Sequence, residues 1–160
     1  MAENPFAPPR SQVTDTDEPS KPGSVWKGML IGGALDIIGT TVLIIIVFIF
    51  YTVFNVSPDM SPEDVEGLGE QFAQELTSID SVWGLVSFSI GCGLSLLGGY
   101  VCAIFARERW KLAAMMLGIF VAVFGLISGA DSYSLGENLS LSLLTFVLIY
   151  AGGWLREGRR

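Results

Sequence analysis

Apolar residues run almost unbroken from 26 to 54, and the one acid inside the run is Asp36. The stretch 28–54 makes a helix of about 40 Å at about 1.5 Å per residue, against a bilayer hydrocarbon core of roughly 30 Å, so the pattern predicts a membrane span that tilts or protrudes. Its second half, 42–50, is apolar on every side, as expected of a helix solvated by lipid. The first half differs. Gly28, Gly32, Asp36 and Thr40 recur every four residues and share one face, with Gly33 and Gly39 beside them. Small residues at this spacing let a second helix approach closely, so that face is expected to meet protein.

Before the run, residues 1–25 are rich in proline and acids and lack apolar periodicity; they predict a disordered cytoplasmic tail ahead of a transmembrane domain over 26–160. After it comes a loop, 55–81, with seven acids and no base. Ser61, Pro62, Glu63 and Asp64 form a helix start, with Ser61 as N-cap and acids in the first turn. Val65, Leu68, Phe72, Leu76 and Ile79 then make one apolar stripe opposite Glu66, Glu70, Gln71, Gln74 and Glu75, which predicts an amphipathic outer helix over about 61–80. Its acids are read either as a solvated face over that stripe or as a cap for a cation or partner; they lack the spacing of a calcium loop.

Three more spans are expected, at about 82–106, 112–129 and 138–155. In the second, Gly84, Gly91 and Gly98 repeat at seven while Gly91, Ser95, Gly99 and Ala103 repeat at four, making it the natural partner of the Gly28/Gly32 face. The third repeats the theme with Ala114, Gly118, Ala122 and Gly125. The short turn 107–111 makes the second and third spans antiparallel neighbours. The fold class is therefore an all-α membrane protein, a four-helix transmembrane bundle with one extra amphipathic helix in the first outer loop.

Composition strengthens this picture. At 160 residues and 51% hydrophobic, the chain is too apolar for an ordinary water-soluble domain of its size. The net charge of −7 argues against a nucleic-acid partner, and the charges are segregated by sign. All nine Lys and Arg residues lie in the N-terminal segment, in 107–111 or at 156–160, while 55–81 and 130–137 hold none, the latter loop carrying Asp131. The positive-inside rule then places both termini in the cytoplasm, with Trp26, Trp110 and Trp154 at the inner interface and Trp83 at the outer. No cleaved signal peptide is expected, since the apolar run is too long and follows an acidic tail.

The candidate chemistry is sparse. There is no histidine, and Cys92 and Cys102, about 15 Å apart on one helix, cannot form a disulfide. Neither a zinc site, a phosphate-binding loop nor a nucleophile elbow is present, so no enzyme activity, metal or cofactor is expected. Asp36 stands apart. An acid near mid-membrane costs roughly 2.5 to 3.5 kcal/mol on insertion scales, which the eleven aliphatic and Phe residues of 42–54 offset by about 3 to 6 kcal/mol. It is read either as a structural contact to Thr40, Thr41 or a Ser or Tyr of the second span, or as a proton- or cation-handling site with Thr40 and Thr41.

Two resemblances bear on the choice. The stretch 32–41, Gly-Gly-Ala-Leu-Asp-Ile-Ile-Gly-Thr-Thr, resembles the first helix of small multidrug resistance transporters, which implies for Asp36 the place of a carboxylate exchanging protons for a cationic drug. Here Asp stands for the family's Glu, the chain is half as long again, and the third span has no Trp or Tyr to cradle a cation. More broadly, the Asn-Pro-Phe-Ala-Pro-Pro tail of 4–9, the Asp-Ile-Ile-Gly-Thr first span, the Gly-Gly-Tyr-Val second span and the Arg-rich turn and end are similar to uncharacterised four-span proteins of the bacterial inner membrane. That resemblance implies the location and supplies no activity. The leading expectation is a non-enzymatic inner-membrane protein that acts by binding other membrane components, as an accessory, immunity or stress protein, with lipid and itself among its partners. The alternative is an oligomeric proton-coupled small-molecule transporter using Asp36.

Overall fold

A computed structural model of the chain describes residues 23–158 apart from 79 and 131. The expected tail over 1–22, the Ile79 end of the apolar stripe, Asp131 and the last two arginines lie outside the described residues. Among the described residues there are helices and no strands: α1 (Val25–Asn55), α2 (Pro62–Thr77), α3 (Val82–Ala106), α4 (Trp110–Ser128) and α5 (Leu135–Glu157), with one 3-10 turn at Arg107–Arg109.

Local chemistry sets the ends. Ser24 caps α1 by accepting the Lys27 amide, and at the other end the Val56 amide donates to the Thr52 carbonyl while the Asn55 side chain donates to that of Tyr51. In α2 the Ser61 hydroxyl accepts the Asp64 amide while the Asp64 carboxylate accepts the Ser61 amide, a reciprocal capping box. The helix ends at Thr77 rather than near 80, because the Glu75 carbonyl takes the Ser78 amide and the Ser81 hydroxyl (2.6 Å), which bends the chain into α3. A second capping box, Ser134 with Glu137, starts α5 three residues before the expected 138.

The α2 cap also carries a stability prediction. The Ser61 hydroxyl and amide hold the Asp64 carboxyl below its ordinary value, so the cap is complete at neutral pH and weakens as pH falls below about 4. Ser61→Ala is expected to cost about 1 kcal/mol of local helix stability and to speed amide exchange in 62–66 about five-fold, with α3 and α5 unchanged. Hydrogen exchange followed by mass spectrometry reads this directly; equal protection in 62–66 would refute it.

Packing follows the small residues. α1 packs on α3, α3 on α5, and α4 on both α5 and α3. Between α3 and α4 the chain reverses at Arg107, whose φ of 51° ends the helix. The central core consists of Cys102, Ala103, Ala106, Trp110, Ala113, Ala114, Leu117, Val121 and Ile149. Trp110, expected at the inner interface, is 3% exposed, with its ring against Gly153 and 5.6 Å from that of Tyr150. Gly153, which has no side chain to displace it, makes that pocket. A second cluster, Val47, Tyr51, Leu68 and Phe72 with Phe48 and Trp83 against it, seats α2 on α1, and the Tyr51 hydroxyl donates to Glu75 Oε1 at 3.3 Å.

Outside these contacts, large apolar side chains face outward along the long helices, among them Leu30, Ile38, Ile45, Ile49, Val53, Ile127 and Leu143. Water would not support so much exposed apolar surface on a monomer. Three helical segments, Val25–Asn55, Val82–Ser128 and Leu135–Glu157, are long and apolar enough to cross a membrane.

Candidate functional site

The seam between α1 and α3 is made of glycine. A β-carbon on Gly28 would lie 2.6 Å from the Cys102 carbonyl oxygen, and one on Gly32 would lie 2.6 Å from that of Gly98. Neither position tolerates a side chain without moving a backbone. One turn beyond Gly32 the repeat supplies Asp36, and three residues before Gly98 lies Ser95. The close approach therefore presses these two side chains together, and the Ser95 hydroxyl donates to Asp36 Oδ1 at 2.8 Å. Of the partners open to Asp36, the structure selects the serine of α3. Thr41 points its hydroxyl back to the Ile37 carbonyl at 2.8 Å, and its side chain is exposed.

Beyond this contact the helices diverge around a cavity of about 470 Å³. It survives because small residues line it: Gly91, Gly125, Gly129, Ser128 and Ser142 leave space that larger side chains would fill. Asp36, Thr40, Thr41, Ser95 and Cys92 line it from α1 and α3, and Asn138, Ser142 and Thr145 from α5. The buried polar side chains of the described residues are Asp36, Ser95, Asn138 and Ser142, none more than 7% exposed, and all four line this cavity. Lys and Arg are missing from its lining. At its outer edge stands Tyr133, whose phenol is raised above its ordinary value by burial and then by the Glu137 carboxylate, so it stays a hydrogen-bond donor at neutral pH.

Asn138 has a second duty. Its side-chain amide donates to the Leu126 carbonyl at 2.9 Å, one of the last four acceptors that α4 cannot satisfy internally. Asn138→Ala leaves that carbonyl unpaired in an apolar setting and is expected to destabilise the protein by about 1–3 kcal/mol, while Asn138→Asp, which lacks the donor, does the same. Unfolding in detergent followed by helicity measures the loss. A transition within about 0.3 kcal/mol of the parent's in both variants would remove Asn138 from this role.

The residues named from sequence divide as follows. Gly98 meets Gly32, Gly99 meets the Ile149 backbone of α5, Gly118 meets the ring of Phe146, and Ala114 lies in the core with Ala122 half-buried. Gly84 does not receive a neighbouring long helix; it makes room for the Ser78 and Glu75 carbonyls where the chain enters α3. Gly91 has no atom within 4 Å of a β-carbon built on it, because it lies on the cavity. Asn138 and Ser142 were missed. Their signal was an amide and a hydroxyl four residues apart on one face of an otherwise apolar span. Groups of three or more His, Cys, Asp or Glu side chains able to hold a metal are missing among the described residues.

Comparison of the chain with protein-family models, with curated proteins and with solved structures returns no match.

Proposed function

We propose that this chain is a non-enzymatic protein of a bacterial inner membrane that binds a small lipophilic cation at Asp36 in exchange for a proton. In this reading the chain crosses the bilayer four times: α1, α3, α4 and α5 are the spans, α2 lies as an amphipathic helix on the outer face, and both termini are cytoplasmic. The reversal at Arg107–Arg109 divides the 82–128 segment into two crossings, and the segregation of basic residues orients them.

One observation carries the ligand. A buried acid in the first long apolar helix borders a largely apolar cavity within the usual size range of small-molecule sites, with Ser95, Asn138 and Ser142 as its other buried polar groups and no basic side chain in its lining. The Asp36–Ser95 pair is itself buried, at 4% and 6% exposed, and both residues border this space. A carboxyl group facing such a space is neutral when it carries a proton and paired when it carries a cation, so the two compete for one position. Between the accessory-protein and proton-coupled-transporter expectations, the cavity favours the second, with Ser95 as the residue that aims the carboxyl group. The resemblance of 32–41 to the small multidrug resistance transporters supports the same ligand class.

The test uses purified full-length protein in detergent at weak buffering, titrated with tetraphenylphosphonium while a pH dye reports protons. Saturable binding with release of up to one proton per cation is expected, the fraction falling at alkaline pH. Absence of binding, or binding with no proton released at any pH, would sink the proposal.

A further inference from the structure

A second cavity, of about 410 Å³, adjoins the first at the end of the molecule that carries α2. Phe88, Tyr133 and Leu141 line both, so the two chambers share a wall. The outer chamber lies among the end of α2 and the starts of α3 and α5, where Thr77, Gly136, Glu137 and Ser140 are exposed. Its chemistry differs from that of a lipid crevice. Glu137 brings a negative charge, Phe88 and Tyr133 bring aromatic rings, and Ser87 brings a buried hydroxyl that has no hydrogen-bond partner. A carboxylate beside aromatic faces is a setting that attracts organic cations.

We infer that the outer chamber is a second subsite for an organic cation, in series with the Asp36 cavity, and that ligand reaches Asp36 through it past the wall of Phe88, Tyr133 and Leu141. The inference rests on the reading of Asp36 as a cation site, and it adds the route and the side of entry. Entry is from the α2 end, opposite the Arg107–Arg109 turn. Glu137 concentrates the cation there, and the Phe88 ring limits its passage inward.

The native cysteines allow a direct test. Cys92 lines the inner cavity, whereas Cys102 is fully buried outside it and serves as an internal negative. Full-length protein in vesicles is exposed from one side or the other to a membrane-impermeant trimethylammonium-ethyl methanethiosulfonate, and the modified residue is identified by mass spectrometry. Cys92 is expected to react from the α2 side and not from the Arg107–Arg109 side, with Cys102 untouched. Phe88→Ala is expected to speed the reaction at least five-fold. Glu137→Gln is expected to slow it about three- to ten-fold with the cationic reagent and to leave an anionic sulfonate reagent of similar size unaffected. Gln also serves in a capping box, so the start of α5 is retained. A Ser140→Cys variant in the outer chamber, reacting from the same side, confirms which end faces the reagent.

Labelling of Cys92 only from the Arg107–Arg109 side, from neither side, or at a rate indifferent to both Phe88→Ala and Glu137→Gln would overturn the inference. Any of these could occur while tetraphenylphosphonium still binds and releases its proton, so failure of the route is distinguishable from failure of the Asp36 site.

Discussion

Gly99→Val and Gly152→Val each prevent the stable assembly of α3 with α5. At Gly99 a β-carbon would overlap the Ile149 carbonyl oxygen, and at Gly152 it would overlap that of Leu96. Both obstacles are backbone, held in regular helices, so neither can rotate aside as a side-chain tip does. Overpacking of a well-filled interior typically costs about 1–3 kcal/mol, and a backbone obstacle places these substitutions at or above the upper end. Association in lipid has no hydrophobic term between helices to compensate, so lost contact is lost stability. We expect each variant to lose about 3 kcal/mol in a reversible detergent-unfolding titration and to accumulate poorly in membranes. Gly91→Ala provides the contrast, because a methyl group there meets nothing within 4 Å and should stay within about 0.5 kcal/mol of the parent. The two valine variants lie on one crossing, so their combined effect should fall short of the sum. Parental stability in Gly99→Val would show that α3 and α5 do not meet in this way.

Replacing Asp36 separates stability from ligand binding. Asp36→Asn keeps an oxygen for the Ser95 hydroxyl and removes only the charge, so the fold should be unchanged. Tetraphenylphosphonium affinity should fall at least about 30-fold, equivalent to about 2 kcal/mol, the lower end of what losing a buried charge partner costs. The parent's affinity should also drop up to about ten-fold per pH unit on acidification, as protons occupy the carboxyl group, and this slope should vanish in Asp36→Asn. Asp36→Leu goes further. It removes an acid that costs roughly 2.5 to 3.5 kcal/mol in lipid and leaves the Ser95 hydroxyl without its acceptor at about 1 kcal/mol, so the protein should be as stable as the parent or more so while binding is abolished. Stability retained with function lost is the pattern of a site residue. Large destabilisation of Asp36→Asn with unchanged cation affinity would make Asp36 a structural contact and end the transport reading.

How far the sequence could be read depended on the range of the interaction. The 25 residues of α3 fall on the expected 82–106 because apolar length and the Ser81 cap are local properties. α5 begins three residues before the apolar run at 138, because the Ser134–Glu137 capping box, a four-residue signal legible in the sequence, starts the helix there. The burial of Trp110 is not a local property. A tryptophan near a helix end can face outward or fill a slot between helices, and here the position of Gly153 on another helix makes the slot.

The site shows the same division. The four-residue repeat of Gly28, Gly32 and Asp36 determined that an acid would sit on a close-packing face, because helical periodicity is fixed by the backbone. That Ser95 would be its partner, that Asn138 and Ser142 would join it from α5, and that Gly91 would border a space and not a helix depended on where four separate helices cross. Helices, their apolar lengths and the faces that can approach are written in local residue patterns; which polar groups share one cavity follows from crossing points between residues as many as 109 positions apart, Asp36 to Thr145, which no local pattern encodes.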